Sequence, residues 1–278
     1  MLEAFYATER GSLEDATING SFDLHPELVW IDLIAPSQEE QQWVFDAYER
    51  NLPTLKSLED ISSSARFYRD DDGILHISTY FLTKNKNYQV DGDTDESSHM
   101  LATVQTVAFI LHKDRLFTMR GEKLVAFRAF RARARRNDYN MDYKDPTWIL
   151  LGLLEAKLDE LADILEDIHK DLERYSTEVL NNHHRETLLD LDDMITRLAQ
   201  QEDMLGKAQL CLIDLRRVLT FLSRPRALGS HIYDADIREL SEDVRSLVEH
   251  DAFLFQKVRF LLDTTSGFIN TEQNDTIR

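Results

Sequence analysis

Cysteine is all but absent from this chain. Cys211 stands alone among 278 residues, which excludes an internal disulfide framework and suits a reducing compartment. Long hydrophobic runs are missing as well: no stretch reaches the roughly 18 apolar residues needed to cross a bilayer. No signal peptide is evident at the start, so the chain as it stands is expected to be soluble. Positive charge is in the minority, with 32 Lys and Arg against 51 Asp and Glu for a formal charge of −19. The larger share of that charge falls on residues 141–278. Polyanions are disfavoured as partners, and no nucleic-acid role is expected. Clustered carboxylates, by contrast, are hard oxygen ligands suited to divalent cations. Catalytic signatures are lacking too: there is no Gly-rich phosphate loop, nucleophile elbow, Cys-x-x-Cys or His-Glu-x-x-His. The chain is therefore read as a non-enzyme. His183 and His184 lack companion ligands for zinc, and Cys211 lies on an apolar helix face, where packing is its ordinary role.

What is present begins with strand and helix signals in alternation. Leu2, Ala4 and Tyr6 alternate in a short strand, with a turn signal at Asn19-Gly20, and Val29 to Ile34 is a compact strand candidate. Pro36-Ser37 opens an amphipathic helix with Glu39 and Glu40 in its first turn and Trp43, Val44 and Tyr48 inside. A shorter helix is expected over Leu55 to Ile61. Strands follow at Arg66 to Tyr68 and Ile74 to Leu82, joined by the turn Asp70-Asp71-Asp72-Gly73, and later at Leu101 to Leu111 and Leu116 to Met119. Residues 84–99 read as a polar loop. Its Asp91, Asp93 and Asp95 are spaced like the start of a calcium loop but lack that loop's Gly and distant Glu. After Gly121 comes a helix with Arg128, Arg131, Arg133, Arg135 and Arg136 interleaved with Phe127 and Phe130. In so acidic a chain these arginines are expected to pair with neighbouring carboxylates rather than with RNA or a membrane.

From Pro146 the chain is helical. An apolar stripe runs through Leu151, Leu154, Leu158, Leu161, Leu165, Ile168 and Leu172, with Glu155, Asp159, Glu160, Asp163, Glu166, Asp167 and Asp171 expected on the outer face. A second helix returns from about Glu186 to Leu222, forming an antiparallel hairpin that ends at Pro225. Residues 234–278 then read as one helix roughly 65 Å long. Its seam is Leu240, Val244, Leu247, Asp251, Leu254, Val258, Leu261, Thr265 and Phe268, in which only Asp251 and Thr265 are not apolar. A helix of that length is expected to project, leaving Val258, Leu261 and Phe268 exposed in a monomer and ready to associate. No stop signal closes it, so the helix is expected to continue beyond Arg278.

The joint order of several stretches resembles the soluble part of the CorA family of divalent-cation channels. They are Val29-Trp30-Ile31-Asp32-Leu33, Leu58-Glu59-Asp60-Ile61 running into Ser64-Ala65-Arg66-Phe67, Thr106-Val107-Ala108-Phe109 with Leu116-Phe117-Thr118-Met119-Arg120, and Leu254-Phe255-Gln256-Lys257-Val258. To these is added Gly267-Phe268-Ile269-Asn270-Thr271-Glu272-Gln273-Asn274, which is similar to the segment leading into that family's first membrane helix. The resemblance implies an α+β fold: a mixed β-sheet sandwiched by helices, a long antiparallel helical hairpin and a long C-terminal stalk helix. The expected organisation is a head at 1–142, an acidic hairpin at 143–225 and a stalk at 234–278.

The resemblance further implies a homopentamer on the cytoplasmic face of the inner membrane, anchored through helices that would follow Arg278. Its cargo would be Mg2+, with Co2+ or Ni2+ also carried. Regulatory metal would bridge carboxylates between subunits. Glu59 and Asp60 match one half of that bridge by motif; Glu239 and Glu242, with Asp243 beside them, match the other by register. Glu155 and Asp159 on the hairpin are the next candidates. A zinc transporter of the related ZntB type shares the architecture and stays open as an alternative. So does a free-standing coiled-coil scaffold.

Overall fold

A computed structural model of the chain describes residues 1–16, 28–49, 52–59, 66–85, 101–112, 114–137, 140–181, 188–225 and 227–276. Seven strands form one mixed sheet: β1 (Leu2–Ala7), β2 (Leu13–Ala16), β3 (Leu28–Ile34), β4 (Phe67–Arg69), β5 (Leu75–Asn85), β6 (Leu101–His112) and β7 (Arg115–Arg120), in the order β2-β1-β3-β7-β6-β5-β4. The one parallel pairing joins β3 to β7, from Trp30 opposite Leu116 to Ile34 opposite Arg120. β3 is buried along its whole length, as a continuous apolar run at the centre of a two-sided sheet must be. Its single charge, Asp32, is fully buried, and Arg120 of β7 answers it with Nη2 2.7 Å from Oδ2. Thr118 donates to Asp32 and accepts from the Trp30 indole, so the buried carboxylate is bonded on several sides.

Helices cover both faces. On one face α1 (Gln38–Tyr48) and α2 (Leu55–Glu59) set Val44 and Leu58 against Ile31, Leu33, Ile110 and Phe117. Ser37 starts α1 with a capping box shared with Glu40. On the other face α3 (Val125–Arg136) drives Phe127 and Phe130 under Trp30. Three of its arginines are ion-paired as expected: Arg131 to Glu3, Arg135 to Asp15, Arg133 to Glu155 and Asp159.

The hairpin is α4 (Pro146–Asn181) and α5 (Leu188–Leu222), and the stalk is α6 (Asp234–Thr276), one unbroken helix of 43 residues entered through a 3-10 turn at His231–Tyr233. All seven stripe residues of α4 are buried. The hairpin docks on β5 through a buried polar cluster. Lys157 of α4 donates to Thr79 Oγ1 at 2.9 Å, Thr79 donates to Asp214 of α5, the Tyr80 amide donates to the same carboxylate at 2.8 Å, and Arg66 reaches it at 3.4 Å. Burial pushes the Lys157 ammonium below its ordinary pKa, and Asp214 opposes that shift. Beside the cluster, burial pushes the Cys211 thiol up to about 11, the environment of an inert packing residue.

The stalk departs from expectation. Val258 and Leu261 are fully buried and Phe268 packs against the core, because α6 lies along both α4 and α5 instead of projecting alone. The seam is spent inside the chain. Thr265 tolerates this burial by donating to the Leu261 carbonyl one turn back, at 2.8 Å. The outer face of α6 carries the exposed Phe253 and Phe260 instead.

Candidate metal centre

α4 and α6 run side by side in the same direction, so that residues about 84 apart in sequence become neighbours: Lys257 bonds Glu173, and Glu239 faces Glu155. Two periodicities then coincide. Glu155 and Asp159 share one face of α4 at i, i+4, while Asp236, Glu239 and Asp243 share one face of α6 at i, i+3, i+7. Their parallel apposition makes a cleft of about 390 Å³ lined by these five carboxylates and Arg133, over a floor that includes Trp148, Leu151, Leu158 and Leu240.

The electrostatics follow from that count. Arg133 places Nη2 2.9 Å from Glu155 Oε2 and Nη1 3.4 Å from Asp159 Oδ2, a single cation among five anions. Glu155 is raised above the usual carboxylate range, first by burial, against the pull of Arg133, and further by Asp159, Glu239 and Asp236. Asp159 is raised by burial in the same way, with Asp163 and Asp243 adding to it and Arg133 opposing. Carboxylates held in this state gain from any extra positive charge brought among them. Among the described residues no three His, Cys, Asp or Glu side chains close into a ready-made metal cage. The arrangement suits a hydrated dication held partly through its waters, the habit of magnesium.

Of the residues singled out from sequence, Glu155, Asp159, Glu239 and Asp243 come together here. Glu242 is exposed on α6 and does not line the cleft. Asp60 and the side chain of Glu59 lie outside the described residues, as do His183, His184 and the Asp91, Asp93, Asp95 run. Glu155 and Asp159 stay open to solvent as expected of the hairpin's acidic face, and the parallel stalk makes that face one wall of a cleft. Asp236 and Arg133 were not singled out as site residues. The i, i+3, i+7 spacing from Asp236 carried a signal for the first; nothing local carried one for Arg133, whose partners lie on the next helix.

The family model described as CorA-like Mg2+ transporter protein matches residues 26–278. The chain belongs to the CorA family. It is 38% identical over 250 residues to the magnesium transport protein CorA of Mannheimia succiniciproducens, covering 90% of this chain and 73% of that one. Its fold is that of the soluble domain of CorA from Methanocaldococcus jannaschii, with a TM-score of 0.71 at 16% identity, covering 96% of this chain and 97% of that one. The ZntB cytoplasmic domain from Vibrio parahaemolyticus is a more distant likeness, with a TM-score of 0.58 at 13% identity over 98% of each chain. Among the described residues of this CorA-family chain no helix is long and apolar enough to cross a membrane.

Proposed function

We propose that this chain is the cytoplasmic metal-sensing and gating part of a magnesium transporter of the inner membrane, and that it works in a homopentamer. The observation that carries the reading is the cleft between α4 and α6, where five carboxylates face one arginine. Family membership and the magnesium transport relative support magnesium as the cargo. Cobalt or nickel, dications of similar charge, would be carried as well.

The mechanism follows from charge. Two carboxylates a few ångströms apart repel by something like 1 to 4 kcal/mol, depending on the effective dielectric. A dication between them reverses the sign of that term. Magnesium keeps several waters and binds such sites loosely, as a sensor of an abundant ion requires. Glu239 and Asp243 are exposed on their outer side, so a neighbouring subunit's Glu59 and Asp60 can complete the shell. When magnesium is high, the bridges hold stalk, hairpin and neighbour together by mass action, and the transporter stays closed. When it falls, repulsion loosens them and the pore opens.

The zinc-transporter reading has the weaker support, because the ZntB likeness is lower in both TM-score and identity. A free-standing coiled-coil scaffold has none, since the seam is consumed within the chain. The test is magnesium uptake by the full-length protein at fixed external and varied internal magnesium. Glu155→Gln and Glu239→Gln should each weaken inhibition by internal magnesium and leave permeation intact. Unchanged inhibition in both variants would remove the cleft from the sensor.

A further inference from the structure

α4 and α6 meet a second time, well along the bundle from the cleft. His169 Nδ1 lies 3.2 Å from His250 Nε2, with the rings 5.5 Å apart and inclined by 54°. The other ring nitrogen of His169 is 3.7 Å from Glu173 Oε1, one turn along α4, and Lys257 of α6 fixes that carboxylate. The His169 side chain is 40% exposed, so the pair opens to water.

We propose that His169 and His250 form a binding site for an imidazole-preferring transition-metal dication, of the class Zn2+, Ni2+ or Co2+, separate from the carboxylate cleft and without affinity for magnesium. The proposal does not rest on the magnesium reading.

The spacing is that of two ligands on one ion. Nitrogens about 2.0–2.1 Å from a metal are roughly 3.3 Å apart at a tetrahedral angle and about 3.0 Å apart at an octahedral one, and 3.2 Å falls between. The surroundings match in kind. A histidine that ligates through one nitrogen commonly directs the other N–H at a carboxylate, which orients the ring and raises its basicity. Glu173 stands on that side of His169 at 3.7 Å; the two rings share one N–H across the 3.2 Å gap, and an incoming dication replaces that proton. Burial and the neighbouring His169 lower the pKa of His250. Selectivity follows from ligand type, since magnesium demands oxygen ligands in near-octahedral array whereas imidazole suits zinc, nickel and cobalt. With two protein ligands, water fills the remaining positions. Glu239 and His250 are 11 residues apart on one helix, so the two sites lie roughly 16 Å apart, and an ion here would clasp stalk to hairpin independently of magnesium.

The test is calorimetric titration of this chain with Zn2+, paired with the absorption spectrum of its Co2+ complex. With excess Mg2+ present to fill the carboxylate cleft, one equivalent of Zn2+ should still bind saturably. The Co2+ spectrum should show nitrogen ligation. His169→Gln and His250→Gln should each weaken binding at least as much as the roughly 10–100-fold loss typical of an outer-shell partner, with helicity by circular dichroism unchanged. His183→Gln/His184→Gln should bind as the parent does. Absence of saturable binding, displacement by magnesium, or affinity that survives in whichever of the two single variants folds would overturn the proposal. So would its loss in the His183/His184 variant. A cobalt spectrum of oxygen ligation alone would do the same without any variant.

Discussion

His250 and Asp251 are adjacent on α6 and meet opposite environments: His250 reaches His169 across the helix interface, while Asp251 turns into the apolar seam with neither carboxylate oxygen hydrogen-bonded. The seam position that interrupts the apolar pattern is thus a buried, unpartnered acid. Burial alone pushes it from an ordinary 3.8 up to about 6.

Asp251 is expected to destabilise the neutral-pH fold. Its folded-state pKa is raised, so the penalty is absent below the unfolded value near 4, builds as pH rises from about 4 to 6, and is complete above that. Two pKa units correspond to about 3 kcal/mol at most. Asp251→Thr, whose hydroxyl can bond the carbonyl one turn back as Thr265 does, should raise stability at pH 7 in urea denaturation with chelator present. The gain should shrink towards zero near pH 4. A pH-independent gain would show that ionisation is not the cause.

The Lys157, Asp214, Arg66 and Thr79 cluster is the polar joint between hairpin and sheet. Asp214→Ala leaves two buried cations without their carboxylate and should cost about 3–5 kcal/mol. Adding Lys157→Met to that variant should recover part of the loss. If the double variant is as unstable as the sum of the singles, measured by denaturant unfolding, the two residues are not coupled.

Two helix glycines should respond in opposite senses to alanine. A Cβ on Gly152 would clash with Phe130 Cε2, inside the α3–α4 contact, whereas one on Gly206 meets nothing within 4 Å. Gly206→Ala is expected to stabilise by up to about 1 kcal/mol through helix propensity. In Gly152→Ala the same gain is outweighed by overpacking of about 1–3 kcal/mol against a buried ring. Melting temperatures shifting in the same direction would mean that Phe130 yields.

With the seam buried, any association is expected to use the outer face of α6, where Phe253 and Phe260 are 52% and 57% exposed at a spacing of seven. A charge of −19 per chain opposes assembly. Sedimentation velocity should therefore show mainly monomer in chelator and more association with magnesium. Phe260→Ser should reduce the magnesium-dependent part. A tight pentamer in chelator would contradict the repulsion argument.

Much of the fold is local information. The apolar period of Leu240 to Phe268, the stripe of α4, the continuous run of β3 and the capping box at Ser37 each specify an element and its buried face from neighbours within a few residues. The carboxylate sets on α4 and α6 are legible in the same way, as spacings on a helix. A periodic stripe states that a face is buried, however, and not what buries it. Only the tertiary structure decided that the stalk lies parallel to α4 and against α5 in its own chain, because that choice rests on matching side-chain volumes between helices some 80 residues apart. From that apposition come the facing of Glu155 and Asp159 by Glu239 and Asp243, the arginine among them, the histidine pair, and the burial of Asp251 without a partner.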